Sequence, residues 1–191
     1  MATNWTTSQV LAQLDSGHQW TGATITYAFP TSTSVIYSQG EGAGFQAASS
    51  VQRGFFIQAL QTWDDLISPN FQLTTSTQSN IEFGYTTSNI GYAHAYYPTN
   101  GSAWFNASEI TLASPTIGSY GFQTLVHEIG HALGLNHMGN YNGAGAHTPS
   151  SFQDSVVLSI MSYFGPAGAA PLRSAEVMDA DWVAANGRVY S

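Results

Sequence analysis

His127-Glu128-Ile129-Gly130-His131-Ala132-Leu133-Gly134-Leu135-Asn136-His137 sets three histidines, a glutamate and a glycine at the spacing His-Glu-x-x-His-x-x-Gly-x-x-His. On a helix, residues four apart stand one above the other, so His127 and His131 aim two imidazoles at one spot. That separation suits two Zn–N bonds of about 2.0–2.1 Å. Glu128 follows the first of them, within reach of a water at the metal but badly placed to ligate beside both histidines. Gly134 can adopt the left-handed conformation that stops a helix and turns the chain back. The reversal brings His137 round as a third ligand and leaves a fourth position open.

The bland alternative is an amphipathic helix that happens to carry histidines. With 6 His and 19 Gly in 191 residues, the pattern arises by chance in roughly one chain in 10⁵. Three clustered imidazoles without a partner would also pack poorly, so the metal reading is preferred. Around the motif, Phe122, Leu125, Val126, Ile129 and Leu133 recur at helical spacing and predict a buried stripe. His127 and His131 fall off that stripe and are expected to face a cleft.

Downstream, Ser159-Ile160-Met161-Ser162-Tyr163 completes a second element. Together with the histidine motif it resembles the metzincin zinc peptidases, in which a methionine turn floors the metal. A lone methionine in such a segment is ordinary core, and Met161 is expected to be core beneath the metal. The motif, with Gly139-Asn140-Tyr141-Asn142 and Met161-Ser162-Tyr163 after it, narrows the resemblance to the serralysins, secreted bacterial metalloproteases. Supporting matches are Gln9-Val10-Leu11-Ala12-Gln13-Leu14-Asp15-Ser16-Gly17, the strand from Trp20 to Phe29, and Trp104-Phe105-Asn106.

The resemblance implies that Tyr163 is a further zinc ligand in the resting enzyme and later hydrogen-bonds the oxyanion. The alternative for Tyr163 is packing beside Met161. Met138 departs from the family, which usually has proline there, and residues 174–191 match its closing helix only loosely. No Gly-Gly-x-Gly-x-Asp repeat occurs, so the calcium-binding roll that follows the family's catalytic domain is expected to be missing.

Composition narrows the partners. There is no cysteine, which excludes disulfides and thiolate ligands. Charged residues make up 7%, against about 25% in ordinary soluble domains. A net charge of −8 with three basic residues argues against nucleic acid or an anionic membrane. No segment reaches the ~18 apolar residues of a membrane span. The first residues lack the basic and apolar regions of a signal peptide.

The remaining chain reads as an α+β succession. Thr6 or Thr7 caps a short helix that ends at Gly17. Residues 23–29 alternate as a strand stopped by Pro30. Residues 45–67 predict one long helix with Val51, Phe55, Ala59, Trp63 and Leu66 inward, and Gly54 within it suggests close packing. Residues 80–85, 92–97 and 109–113 read as short strands. After His137 the sequence is loop-rich.

The expectation is one metzincin-like catalytic domain over 1–191. A twisted mixed sheet with helices forms an upper lobe through about 137, an irregular lower lobe covers 138–191, and zinc lies in the cleft. Tyr92-Ala93-His94-Ala95-Tyr96-Tyr97, ended by Pro98, would by resemblance be the edge strand along which an extended peptide lies. The plain alternative is an edge strand whose aromatics pack inward. His18, His94 and His147 are read as lying outside the metal's ligand set.

The function expected is a secreted, monomeric zinc endopeptidase, with Glu128 as general base and Tyr163 as oxyanion donor. A zinc-clipped pseudoenzyme or adhesin, or a glycan-binding module suggested by 13% aromatic residues, are the alternatives.

Overall fold

The computed structural model describes residues 4–75, 78–141 and 151–164. By their contacts the residues fall into two compact units, 17–134 and a unit made of 1–16 with 135–191.

The larger unit is built on a mixed sheet. Its strands are β1 (Thr24–Ala28), β2 (Phe45–Gln46), β3 (Asn70–Leu73), β4 (Ile81–Thr86), β5 (Ala93–Ala95) and β6 (Ser102–Asn106). The order is β3-β1-β4-β6-β5, with β2 antiparallel to the end of β4. β1 runs parallel to β3 and β4, and β4 parallel to β6, while β5 closes the edge antiparallel to β6. Every residue of β4 is buried, as expected of a strand flanked on both sides.

The helices of this unit are α2 (Ser50–Asp64), the four-residue α3 (Ile110–Ala113) and α4 (Tyr120–Ala132). Ser49 caps α2 by accepting from the Gln52 amide while the Gln52 side chain accepts from the Ser49 amide. Phe56 projects from α2 onto Phe83, with ring centroids 4.5 Å apart, and meets Phe105 at 5.0 Å. Each such buried ring stabilises the fold by roughly 1.5–3 kcal/mol. Trp63 Nε1 donates to the Val126 carbonyl at 3.0 Å and ties α2 to α4.

Several sequence expectations are corrected here. The helix read over 45–67 begins at Ser50, because Phe45 and Gln46 pair with Tyr85 and Thr86 as β2. Its buried face carries Phe56, Ala59 and Leu60, whereas Val51 and Leu66 are exposed. A β-carbon at Gly54 would meet nothing, so no close packing explains that glycine. The strand expected over 109–113 is instead the helix α3 (Ile110–Ala113) with Glu109 as its N-cap and only Leu112 buried. β3 and β6 are strands that the sequence pattern does not announce.

In the second unit, α1 (Thr7–Leu14) starts from a Thr6–Gln9 capping box and ends before Gly17, which has φ +74°. The Asn136 amide donates to the Leu14 carbonyl at 2.7 Å, and Asp15 bridges Leu135. Gln153, almost wholly buried, accepts from the Trp5 amide and donates to the Trp5 carbonyl. Beyond Leu135 the described residues contain no helix or strand, as the loop-rich sequence predicts. No helix among the described residues is long and apolar enough to cross a membrane.

Candidate metal centre

α4 carries the first two histidines. Ser119 caps it, accepting from the Phe122 amide at 3.2 Å. Phe122, Leu125, Val126 and Ile129 are buried as the periodicity predicts. His127 and His131 are also buried, although they lie off that stripe. Their rings meet nearly edge to face, with centroids 4.8 Å apart.

The helix stops at Gly134, whose φ of +105° only glycine adopts without strain. A β-carbon there would overlap the carbonyl oxygen of His18. The His18 ring stacks on Tyr97 at 5.7 Å, and Tyr97 in turn lies edge-on to His131 at 6.0 Å. Gly134 therefore supplies both a turn and room for another stretch of backbone.

His137 follows three residues later. Its carbonyl accepts from Gln13 Nε2 at 3.0 Å, a contact from α1 that no local pattern announces. The candidate ligand nitrogens of His127, His131 and His137 all lie within 4.8 Å of one another, and all three side chains are buried. Three imidazoles converging on one point, without thiolates, suit a zinc ion with an open fourth position.

Glu128, next in the chain after His127, is buried, and its Oε2 has no hydrogen-bond partner. Burial pushes its carboxyl up to about 8. A buried, unpartnered carboxylate oxygen is costly unless a ligand or a cation offsets it. This orphan atom is the independent observation that a charged or protic occupant fits the site.

Met161 is buried as core, and its carbonyl accepts from the Met138 amide at 2.8 Å. Asp154 organises the turn that follows. Its Oδ1 accepts from Tyr141 and from Ser162, each at 2.7 Å. The Tyr141 hydroxyl then accepts from the Tyr163 amide at 3.2 Å. Burial, then the bond to Asp154, raise the Tyr141 hydroxyl well above its ordinary value. Tyr163 itself is 54% exposed, with its ring centroid 4.3 Å from that of His137. The sequence singled out Met161 and Tyr163 but missed Asp154, whose partners lie 8 and 13 residues away.

Of the spare histidines, His94 lies on β5, with Nε2 2.8 Å from Glu41 Oε1. His147 lies outside the described residues, as does the closing stretch 174–191.

A family model described as Matrixin (Peptidase M10) matches residues 19–144. The chain belongs to the matrixin family. It is also similar to serralysin A of Dickeya chrysanthemi, 41% identical over 133 residues, covering 63% of this chain and 28% of that protein. Metalloprotease AprA of Pseudomonas entomophila is 37% identical over 156 residues, 73% of this chain and 32% of the relative. Serralysin C of Dickeya chrysanthemi is 37% identical over 188 residues, 85% and 39% of the respective chains. The chain thus spans about a third of the length of these curated relatives. The serralysin-like metzincin reading of the motif agrees with all three, and the His127, His131 and His137 triad is placed for the zinc of this family.

Glu41 is a feature that the sequence did not reveal. Its Oε1 accepts from the Tyr96 hydroxyl at 2.6 Å and faces His94, while its Oε2 accepts from the Gln39 amide. Burial alone would raise this carboxyl, but the hydrogen bonds, led by Tyr96, outweigh it and hold the group at about 2. A folded value below the unfolded 4.5 stabilises the protein above pH 4.5, and the benefit disappears as pH falls through 2. Glu41→Gln is therefore expected to lower the melting temperature at pH 7, with the two proteins converging as the buffer is taken toward pH 2. A constant difference across that range would show that the charge contributes nothing.

Proposed function

We propose that this chain is a zinc-dependent endopeptidase that works outside the cell on extended segments of protein or peptide. The observation that carries the reading is the convergence of three buried imidazoles, with the next residue after His127 a buried glutamate whose Oε2 has no hydrogen-bond partner. When bound, zinc polarises the scissile carbonyl and lowers the pKa of water to about 7. Glu128 takes the proton of the attacking water and passes it to the leaving amine. Tyr163 would be a further ligand to the ion at rest and would donate its phenolic hydrogen to the developing oxyanion.

The edge strand supports the mode of substrate binding. The Tyr96 amide donates to the Ser102 carbonyl, and the Asn106 amide to the Tyr92 carbonyl. In an antiparallel ladder this alternation turns the backbone groups of Ala93 and Ala95 away from β6. An extended peptide can pair with them as a further strand. Tyr97, just past that edge, lies against His131. The extracellular setting rests on the likeness to serralysins, and the net charge of −8 favours neither nucleic acid nor an anionic membrane as partner. A single catalytic domain acting as a monomer belongs to the same proposal.

Incubation with a denatured protein, with zinc, with chelator, and with zinc restored after chelation, tests the reading. Cleavage should follow the metal through all three states. A zinc-loaded protein that binds peptide or glycan without cutting would overturn it in favour of a metal-clipped binding module.

Tyr163→Phe isolates the phenol. It keeps the ring against His137 and removes only the oxygen, so zinc content and melting temperature should hold. The turnover number should fall by about 10²–10³ with little change in KM, as for a donor used only in the transition state. An undiminished kcat would reduce Tyr163 to packing.

A further inference from the structure

One cavity takes no part in the chemistry above. It encloses about 650 Å³ at the end of β1, between the chain after Phe29, α2 and the end of β3. Phe29, Ile57 and Leu73 give it apolar walls, Ser32 and Ser34, whose hydroxyls bond each other at 2.8 Å, also line it, and Arg53 enters from α2. Neither the histidine motif nor β5 contributes to its lining.

Arg53 is the only arginine or lysine among the described residues. Its Nε donates to the Ala48 carbonyl at 2.9 Å, and the guanidinium lies 5.7 Å over the Phe29 ring. The only ion-pair contact among the described residues joins His94 to Glu41, so no carboxylate among the described residues pairs with Arg53. None of the described acidic residues thus pairs with the one described fixed cation, which stands on the wall of a cavity.

We propose that this cavity binds a small organic anion, a monocarboxylate with an apolar body. The terminal nitrogens of Arg53 offer the planar fork that matches a carboxylate, and Phe29 holds the guanidinium from behind. Ile57 and Leu73 cover the apolar body, and the volume lies in the range of small-molecule sites. The net charge of −8 opposes a polyanion such as a phosphate ester, which favours a ligand of single charge. A neutral ligand would leave the guanidinium unmatched.

The test uses the zinc-loaded chain, 4-phenylbutyrate as probe and its uncharged amide as control, followed by amide NMR shifts. The carboxylate should saturate one site, moving resonances of Ser34, Arg53 and Leu73, and the amide should bind at least about tenfold more weakly. Arg53→Gln should weaken the carboxylate by a similar factor. Leu73→Trp, at a half-exposed position that tolerates bulk, should block the cavity with Arg53 intact. A peptide hydroxamate at the histidine centre should leave the binding unchanged. Shifts confined to residues 127–137, equal affinity for the amide, or undiminished binding in the Leu73 variant would each overturn the proposal. The readout is independent of peptide hydrolysis, so it stands or falls separately from the function proposed above.

Discussion

Glu128→Gln is expected to lower peptide hydrolysis by about 10²–10⁴, the usual contribution of a general base, while zinc content stays unchanged. Glutamine keeps the shape and cannot take the proton. The informative part is the accompanying change in stability. The Glu128 carboxylate is buried with Oε2 unpartnered, which is a poor arrangement for folding alone. A neutral amide relieves that desolvation, so the variant should melt no lower than the parent protein. Activity and stability then move apart, the pattern of a residue kept for chemistry at the expense of the fold. Metal analysis, thermal melting and a chelator-controlled peptidase assay on the same preparation measure all three quantities. Near-parental hydrolysis would remove Glu128 from the mechanism. A large drop in melting temperature would show that it is a structural group.

Gly134→Ala should have the largest effect on the protein as a whole. The added methyl meets two obstacles at once, a backbone at φ +105° and the carbonyl oxygen of His18. That oxygen belongs to backbone and cannot rotate aside. The expected loss is about 2–4 kcal/mol, at the upper end for a single substitution and with a named cause. If the chain relaxes instead, its direction after residue 134 changes and the third histidine loses its place. Weaker zinc binding should therefore accompany the lower melting temperature, measured by competition with a coloured chelator. An alanine variant with parental melting and zinc affinity would refute the claim that this position requires glycine.

The metal motif was legible because each of its positions has a local geometric reason, from the four-residue step between His127 and His131 to the turn at Gly134. β1 and β4 were legible from their alternating or continuous apolar runs. The misreadings have local causes as well. Adjacent Phe55 and Phe56 allow two helical phases, and the exposed Val51 in the first turn favoured the wrong one. Ile110 and Leu112 alternate as a strand would, yet Ile110 is exposed and the segment winds into a single turn of helix. β3 is a mostly exposed strand at the sheet edge with no apolar pattern to read. The supports of the site were hidden for another reason. Glu41 meets Tyr96 across 55 residues, and Gln13 meets the His137 carbonyl across 124, distances at which one sequence carries no periodic signal.

Within α4 every residue except Tyr120 and Gln123 is buried. A helix enclosed to that degree has few local openings, so its amide hydrogens should exchange with solvent only when the unit unfolds as a whole. The two candidate ligands that this helix carries, His127 and His131, are thus set when the chain folds. Little ordering entropy then remains to oppose each encounter with a substrate, because the most expensive part of the site was fixed at synthesis.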